Sequence, residues 1–286
     1  MSVFALTTLV MLAFAANSLL NRAALLGGEM DPASFALIRV VAGAVTLLGV
    51  VSLRRRMRIN RPDWGAVLAL TAYLLGFSFA YLSMDAGVGA LILFGGVQVT
   101  MFAGAVLAKE NVPPARWIGM FVSLLGLILL LWPSEGLGIS PMGFALMGLA
   151  AVGWGYYSLV GRGASDPLAA TAWNFTYGVP LVALGWAVAP GDVAISSAGI
   201  WLAVLSGAVT SGLGYALWYN VLPRLGASVG ALAQLSVPVL AIGLGALLLG
   251  EGVALKTLLS ALLVLAGIWI GTTQMFAPQR RNSDLS

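Results

Sequence analysis

A run of 23 uncharged residues at 86–108, AGVGALILFGGVQVTMFAGAVLA, decides the fold of this chain. The run ends at Lys109 and Glu110. An α-helix rises about 1.5 Å per residue, so this segment would be about 35 Å long and would cross the ~30 Å hydrocarbon core of a bilayer. A surface helix of a soluble protein would carry a polar face instead. The run therefore predicts a membrane-spanning helix.

The rest of the chain has the same character. It is 60% hydrophobic and 8% charged, with a mean hydropathy of +0.99, whereas soluble domains carry about 25% charged residues. We therefore predict an all-α integral membrane protein with ten transmembrane helices. Their predicted ranges are 3–21, 34–53, 64–84, 86–108, 115–132, 141–160, 168–188, 198–220, 226–249 and 254–276.

The composition excludes several kinds of chemistry. The sequence has no cysteine and no histidine, which removes disulfides, thiolate chemistry, histidine-based nucleophile systems and the common zinc sites. It has no GxxxxGK[ST] loop and no paired carboxylates within a predicted span. We predict that the protein is not an enzyme and needs no metal or cofactor. The net charge of +4 lies in short loops, so it indicates membrane orientation rather than nucleic-acid binding.

The basic loops predict the orientation. With a cytoplasmic N-terminus, Arg22 and Lys256 fall outside, and Arg39 lies within the second span. The residues that fall inside are Arg54, Arg55, Arg56, Arg58, Arg61, Lys109, Arg116, Arg162, Arg224, Arg280 and Arg281. Basic residues concentrate on the cytoplasmic side of membrane proteins. We predict a multi-pass protein of the cell inner (plasma) membrane with both termini in the cytoplasm.

The two halves of the chain resemble each other at a shift of 140 or 141 residues. The matches include Ser18-Leu19 with Ser158-Leu159, Arg22 with Arg162, Val88–Leu91 with Val229–Leu232, and Glu110 with Glu251. Chance explains apolar matches but not charged ones in register. We predict two five-helix repeats, at 1–136 and 137–279, followed by a cytoplasmic tail at 280–286. Because five is odd, the second repeat enters the membrane inverted, which is typical of transporters with a site near the midplane.

These features resemble the drug/metabolite transporter superfamily and its EamA-type exporters. The resemblance rests on Ala105–Glu110 in the first half, and on Pro238 and Leu247–Glu251 in the second. Val97 stands where the first half would need the counterpart of Pro238, which leaves open whether the halves gate symmetrically. Within the superfamily the chain is most similar to the YddG-type exporters of aromatic amino acids.

The resemblance implies a secondary or facilitative transporter that exports small metabolites by alternating access. Aromatic amino acids and related compounds such as methyl viologen are the expected cargo. The expected partners are a small-molecule substrate and the lipid bilayer, and a monomer suffices. The alternative is a multi-drug, nucleotide-sugar or lipid-precursor transporter of the same fold. A nucleotide sugar would call for several inward-facing cations.

Polar and aromatic residues inside the predicted spans are the candidates for substrate binding, because such residues usually face a cavity or another helix. They are Asn17, Tyr81, Gln98, Trp154, Tyr157, Trp173, Tyr177, Tyr215, Trp218, Gln234 and Ser236. Aromatic residues near helix ends also form the interfacial belt. Gln98 and Gln234 near mid-span would otherwise join helices through hydrogen bonds. The predicted gating or hinge residues are the helix breakers Gly95, Gly96, Pro180 and Pro238.

Few charges lie within the membrane on this interpretation. Arg39, about two turns from the outer end of the second span, is expected to extend its head toward the interface, with contact to a substrate carboxylate as the alternative. Glu110 and Glu251 either end helices in solvent or move with gating. The absence of an acidic residue in mid-span favours a facilitator or weak proton coupling.

Overall fold

The computed structural model describes residues 2–54, 61–109, 112–132, 140–161, 163–189 and 191–272. Regular structure in these ranges is helical, with one isolated β-bridge between Met30 and Ile195. The helices are α1 (Val3–Leu25), α2 (Pro32–Leu53), α3 (Trp64–Ala80), α4 (Ala86–Leu107), α5 (Pro114–Leu131), α6 (Pro141–Gly161), α7 (Pro167–Val188), α8 (Ser197–Leu205), α9 (Gly214–Gln234), α10 (Ser236–Leu249) and α11 (Leu255–Thr272).

Five helical segments among the described residues are long and apolar enough to cross a membrane. They are Val3–Gly28, Pro32–Leu53, Ala86–Leu107, Pro141–Gly161 and Ser197–Leu225. Three shorter apolar helices lie at Trp64–Ala80, Ser236–Leu249 and Leu255–Gly271. The architecture is that of an all-helical membrane protein, as the composition predicts.

Helices α2 and α7 begin in the same way. Asp31 caps α2 by accepting a 2.8 Å hydrogen bond from the Ser34 N–H, and Asp166 caps α7 through the Ala169 N–H at 3.1 Å. A proline follows each aspartate, and proline suits the first helical turn because no intrahelical partner exists for its missing N–H. The Asp-Pro pairs therefore fix where both helices start.

The main helix–helix contacts join helices of one half of the chain to helices of the other half. α2 packs against α7, and α5 packs against α11. α6, a helix of the second half, packs on α3 and α4 of the first half. α1, a helix of the first half, packs on α8, α9 and α10 of the second half. Each of these two central helices is thus surrounded by helices from the opposite half.

The bundle has two ends, which we name by the predicted orientation. The inner end holds the start of α1 and the α6–α7 connection, and the outer end holds the α1–α2, α3–α4 and α10–α11 connections. Glu110 and the tail 280–286 lie outside the described residues.

The segment from α8 to α9 departs from regular α-helix. Ser206–Leu213 forms a π-helical stretch between them. Further on, a side-chain Cβ at Gly230 would come within 2.4 Å of Leu222 and 3.2 Å of Trp218. A straight helix would separate these positions by about 12 and 18 Å, so the chain turns back within α9.

The predicted hinge residues differ in local structure. α4 continues without a break through Gly95 and Gly96, and α7 continues through Pro180. On the second-half side, the helix breaks at Leu235, and Pro238 lies in the first turn of α10. A proline in that turn removes no intrahelical hydrogen bond, which favours a helix start at this point.

Candidate functional site

A small cavity lies between the two halves, near the middle of α1. Its volume is about 10 Å³, which is room for about one water molecule. The lining residues are Phe14, Asn17 and Ser18 of α1, Tyr73 and Phe77 of α3, Leu93 and Phe94 of α4, Trp154 of α6 and Tyr215 of α9. Both halves of the chain therefore contribute to this central cavity, and most of its lining is aromatic.

The hydroxyl of Tyr73 is the centre of a buried polar network. It accepts hydrogen bonds from Arg39 Nη2 at 2.8 Å and from Asn17 Nδ2 at 3.3 Å. Tyr215 OH lies 3.2 Å away and shares a third hydrogen bond with it. Three elements of the first half and one of the second thus meet at this atom.

Asn17 connects the network to the π-helical stretch. Its Oδ1 accepts from the Ser206 hydroxyl at 2.6 Å and from the Thr210 hydroxyl at 3.0 Å. α1 continues to Leu25, so Asn17 lies about two turns inside the helix and does not cap it. The nitrogen and the oxygen of its side-chain amide thus join a tyrosine of one half to two hydroxyls of the other.

Arg39 is fully buried, with 0% of its surface exposed. Nε donates to Ser211 Oγ at 3.1 Å, and the guanidinium carbon lies 5.1 Å from the ring centres of both Tyr73 and Phe77. The expectation that Arg39 extends to the interface is therefore wrong. Hydrogen bonds and two aromatic faces hold its head in the protein interior.

The π-helical stretch places residues that sequence reasoning missed. Ser206, Thr210 and Ser211 are all buried and point their hydroxyls at Asn17 or Arg39. Serine and threonine occur throughout membrane helices, so their presence in an apolar segment is no distinctive pattern. Wider i→i+5 hydrogen bonding is frequent at functional sites, but it leaves no clear mark in a sequence.

Aromatic rings pack around the central cavity. Phe14 makes edge contacts with Trp154, Tyr215 and Trp218 at 5.7 to 5.8 Å between ring centres. The indole Nε1 of Trp154 donates a 2.9 Å hydrogen bond to Gln234 Oε1. The glutamine of the second half thus fixes the orientation of one cavity wall.

A larger cavity of about 280 Å³ lies at the inner end. Its lining includes Arg61, Asp63, Tyr157, Trp173, Asn174 and Tyr219. Tyr157 lies 5.9 Å from Trp154 and 6.3 Å from Tyr219, measured between ring centres. These rings separate the inner cavity from the central one.

At the outer end, charged groups join the halves. Arg22 pairs with Asp85 at 3.4 Å and with Glu251 at 3.6 Å, and the Glu251 carboxylate accepts the Ala86 N–H at 2.9 and 3.0 Å. Burial raises the pKa of Glu251, while the Ala86 N–H and Arg22 oppose that rise. We call Arg22, Asp85, Ala86 and Glu251 the outer ion cluster.

The remaining predicted site residues lie at different depths. Tyr81 is buried at the outer end and donates to Ala86 O at 3.2 Å, and Tyr177 packs beside Trp173 with tilted rings whose centres are 5.8 Å apart. Gln98 is half-buried and lines neither cavity. Ser236 is exposed and donates to Ala233 O at 2.7 Å. The structure thus brings Asn17, Trp154 and Tyr215 to the central cavity, with Trp218 and Gln234 behind them.

Comparison with known proteins identifies the family. The sequence profile of the EamA-like transporter family matches residues 141–273. The uncharacterized protein PA1977 of Pseudomonas aeruginosa is 47% identical over 265 residues, which cover 92% of each chain. The chain belongs to the EamA-like transporter family, part of the drug/metabolite transporter superfamily.

Relatives of lower identity include proteins named as transporters. The uncharacterized transporter YoaV of Bacillus subtilis is 24% identical over 85% of this chain and 88% of its own. A probable amino-acid metabolite efflux pump of Salmonella typhimurium is 24% identical over 72% of this chain and 74% of its own. A crystal structure described only as that of a protein superposes with a TM-score of 0.70 at 19% identity, covering 95% of this chain and 96% of its own. That likeness shows the fold alone.

Proposed function

We propose that the protein exports small metabolites, aromatic amino acids and related compounds among them, by alternating access of two inverted repeats in the inner membrane. One observation carries this proposal. The central cavity is lined by both halves of the chain and lies between an inner cavity and an outer end closed by ions. A transporter in an occluded state, with its central site closed from both sides, would have this arrangement.

The packing pattern supports the repeats. α6 lies among helices of the first half as α1 lies among helices of the second, which is expected if a half-turn relates the two halves. The amino-acid metabolite efflux pump among the relatives supports an amino-acid cargo. The aromatic lining supports a flat, apolar side chain on that cargo, because rings pack favourably against rings.

A nucleotide-sugar cargo has less support. Of the described residues, Arg39 is the one charged side chain that is buried, whereas a diphosphate would call for several cations. We therefore place amino acids ahead of nucleotide sugars.

Transport by purified protein in liposomes tests the proposal. We expect uptake of labelled phenylalanine or tryptophan above that of protein-free liposomes, measured with and without a pH gradient. Gln234→Ala should lower uptake by about tenfold, because it frees Trp154 to leave the cavity wall, whereas Gln98→Ala should have a smaller effect. If no member of a panel of amino acids, methyl viologen and other metabolites enters, the proposed function is wrong.

A further inference from the structure

The guanidinium of Arg39 has one nitrogen without a partner. Its Nε and Nη2 are bound by Ser211 and Tyr73, but Nη1 is buried and has no hydrogen-bond acceptor within the described residues. Buried polar nitrogens normally find an acceptor, so an unpaired one in the interior of a bundle indicates a group that the protein itself does not supply.

The charge of Arg39 is also unbalanced. Its hydrogen-bond partners are neutral hydroxyls, and none of the ten acidic residues of the sequence falls within the ranges of the helices. A buried charge without a counter-ion is strongly unfavourable, and contacts with the faces of Tyr73 and Phe77 compensate only part of that cost. A negative charge brought by a ligand would complete the balance.

Other unpaired groups around the central cavity favour the same kind of ligand. Trp218 Nε1 and Gln234 Nε2 are buried N–H donors without acceptors in the described structure. Trp218 packs on Phe14, and Gln234 binds Trp154, so both lie directly behind the lining. Asn21 Oδ1, one turn beyond Ser18 on α1, is a buried acceptor without a donor in the described structure, and an ammonium group would supply one.

The position of Arg39 defines how a ligand would reach it. The rings of Tyr73 and Phe77 lie between the guanidinium and the cavity, and Tyr73 OH is already bound to Nη2. With room for about one water molecule, the cavity must widen to admit any cargo. Movement of the Tyr73 ring would then widen the central cavity and expose the guanidinium to it.

Resting on the proposed function, we propose that Arg39 binds the carboxylate of the cargo and makes the protein selective for small carboxylates with a flat apolar group. An arginine holds a carboxylate through two parallel hydrogen bonds, and Nη1 and Nη2 are the pair that would do so. The same positive charge repels a dication, so methyl viologen is a poor cargo.

Competition against labelled phenylalanine in liposomes tests the proposal. For the wild type, 3-phenylpropionate should compete with phenylalanine. Phenylalaninamide, phenethylamine and methyl viologen, which lack a carboxylate, should each compete at least about tenfold more weakly than 3-phenylpropionate. Equal competition by phenylalanine and its amide would overturn the role of Arg39 and leave the proposed function intact. Absence of phenylalanine uptake by the wild type, with uptake of another panel member, would instead remove the aromatic cargo on which the role rests.

Variants separate a binding role from a structural one. Arg39→Gln should abolish the preference for phenylalanine over phenylalaninamide, and Arg39→Lys should keep a reduced preference. A residue that only supports the fold would lower transport of both compounds equally and keep their ratio. Arg224→Gln, which changes an exposed arginine of α9, is the matched control and should keep the wild-type ratio. Thermal unfolding of each variant in detergent shows whether it folds. If Arg39→Gln does not fold, the wild-type competition decides the proposal.

Discussion

At the scale of single residues, the Tyr73 hydroxyl connects both halves of the molecule. It accepts hydrogen bonds from Arg39 and Asn17 and shares one with Tyr215. Replacing it with hydrogen would leave a charged donor and an amide donor unpaired in the interior. Leaving a buried donor without a partner costs about 1–3 kcal/mol, and more when the donor is charged.

We therefore predict that Tyr73→Phe lowers both thermal stability and transport. The midpoint of thermal unfolding in detergent should fall, and phenylalanine uptake should fall by about tenfold or more. Tyr156→Phe is the matched control, because Tyr156 is 46% exposed and its hydroxyl is not part of this network. Equal effects of the two substitutions would show that the network around Tyr73 has no special role.

Some of these residues were predictable from sequence and others were not. Asn17, Trp154 and Tyr215 stand out because a polar or polar-tipped side chain in mid-span needs a partner. The depth of Arg39 in its helix was predictable, but the direction of its long side chain depends on rings from α3. Whether Gln98 and Ser236 take part in the site remains a prediction, since neither residue lines the central or the inner cavity.

At the scale of helices, α5 and α11 approach each other through glycine. A Cβ at Gly267 would lie 2.4 Å from Gly119 O and 2.6 Å from Ser123 N, both backbone atoms. A Cβ at Gly271 would lie 3.7 Å from its nearest neighbour, Arg116 Cα, which is ordinary contact. Small residues at such crossings allow close packing in membranes.

We predict that Gly267→Ala destabilises the protein by about 1–3 kcal/mol, because two backbones must move apart. Gly271→Ala, one turn further along the same helix, should be neutral or slightly stabilising, since alanine favours helix over glycine. Thermal unfolding of both variants measures the difference. A Gly267→Ala protein as stable as Gly271→Ala would mean that α5 and α11 are not in this close contact.

Where a helix is one uninterrupted apolar segment, hydropathy predicted its boundaries. The predicted spans at 86–108 and 141–160 match α4 and α6 within one residue at each end. The predicted spans 198–220 and 226–249 anticipate the turn within α9, but they miss the π-helical stretch and the break at Leu235. These irregularities arise from tertiary packing, for example the contact of Ser206 and Thr210 with Asn17, and hydropathy does not report them.

At the scale of the whole molecule, the outer ion cluster joins the halves. Glu251 of the second half accepts the Ala86 N–H and pairs with Arg22, both of the first half. Glu251→Ala removes both contacts, so we predict that it opens the outer end more often. The chain has no cysteine, so Ser18→Cys at the central cavity supplies a single thiol for labelling.

A membrane-impermeant thiol reagent added outside should label Ser18→Cys faster when Glu251→Ala is present. Glu29→Ala changes an exposed carboxylate at the same end and should leave the labelling rate unchanged. Unaltered labelling in the Glu251→Ala protein would rule out a closing role for the cluster.

The raised pKa of Glu251 predicts how closure depends on pH. Opening the outer end would return the carboxyl to water and its pKa toward the ordinary value, so the closed state binds the proton more tightly. Protonation therefore stabilises closure. That stabilisation is complete below the ordinary pKa of a glutamate and is lost as the pH rises through the raised value.

We predict that labelling of Ser18→Cys accelerates as the external pH rises through this window. Glu251→Gln imitates the protonated group, so the outer end should stay closed and the labelling rate should keep only the pH dependence that ionisation of the thiol itself causes. Arg22 and Asp85 face the same carboxylate, so Asp85→Asn is the control for the other acid. An acceleration in Glu251→Gln as large as that in the protein with Glu251 would assign the effect to the thiol or to another group.

The helices enclose the buried guanidinium of Arg39 but carry no acidic residue, and this has an electrical consequence under the proposed function. No carboxylate within the described helices is available to carry a proton inward as cargo leaves. A zwitterion crosses without net charge, but an acid lacking the ammonium group crosses as an anion. In a cell with a negative interior, the voltage alone favours its exit by about 2.3 kcal/mol for every 100 mV. Potassium diffusion potentials imposed on liposomes should therefore drive phenylpropionate and leave phenylalanine flux nearly unchanged.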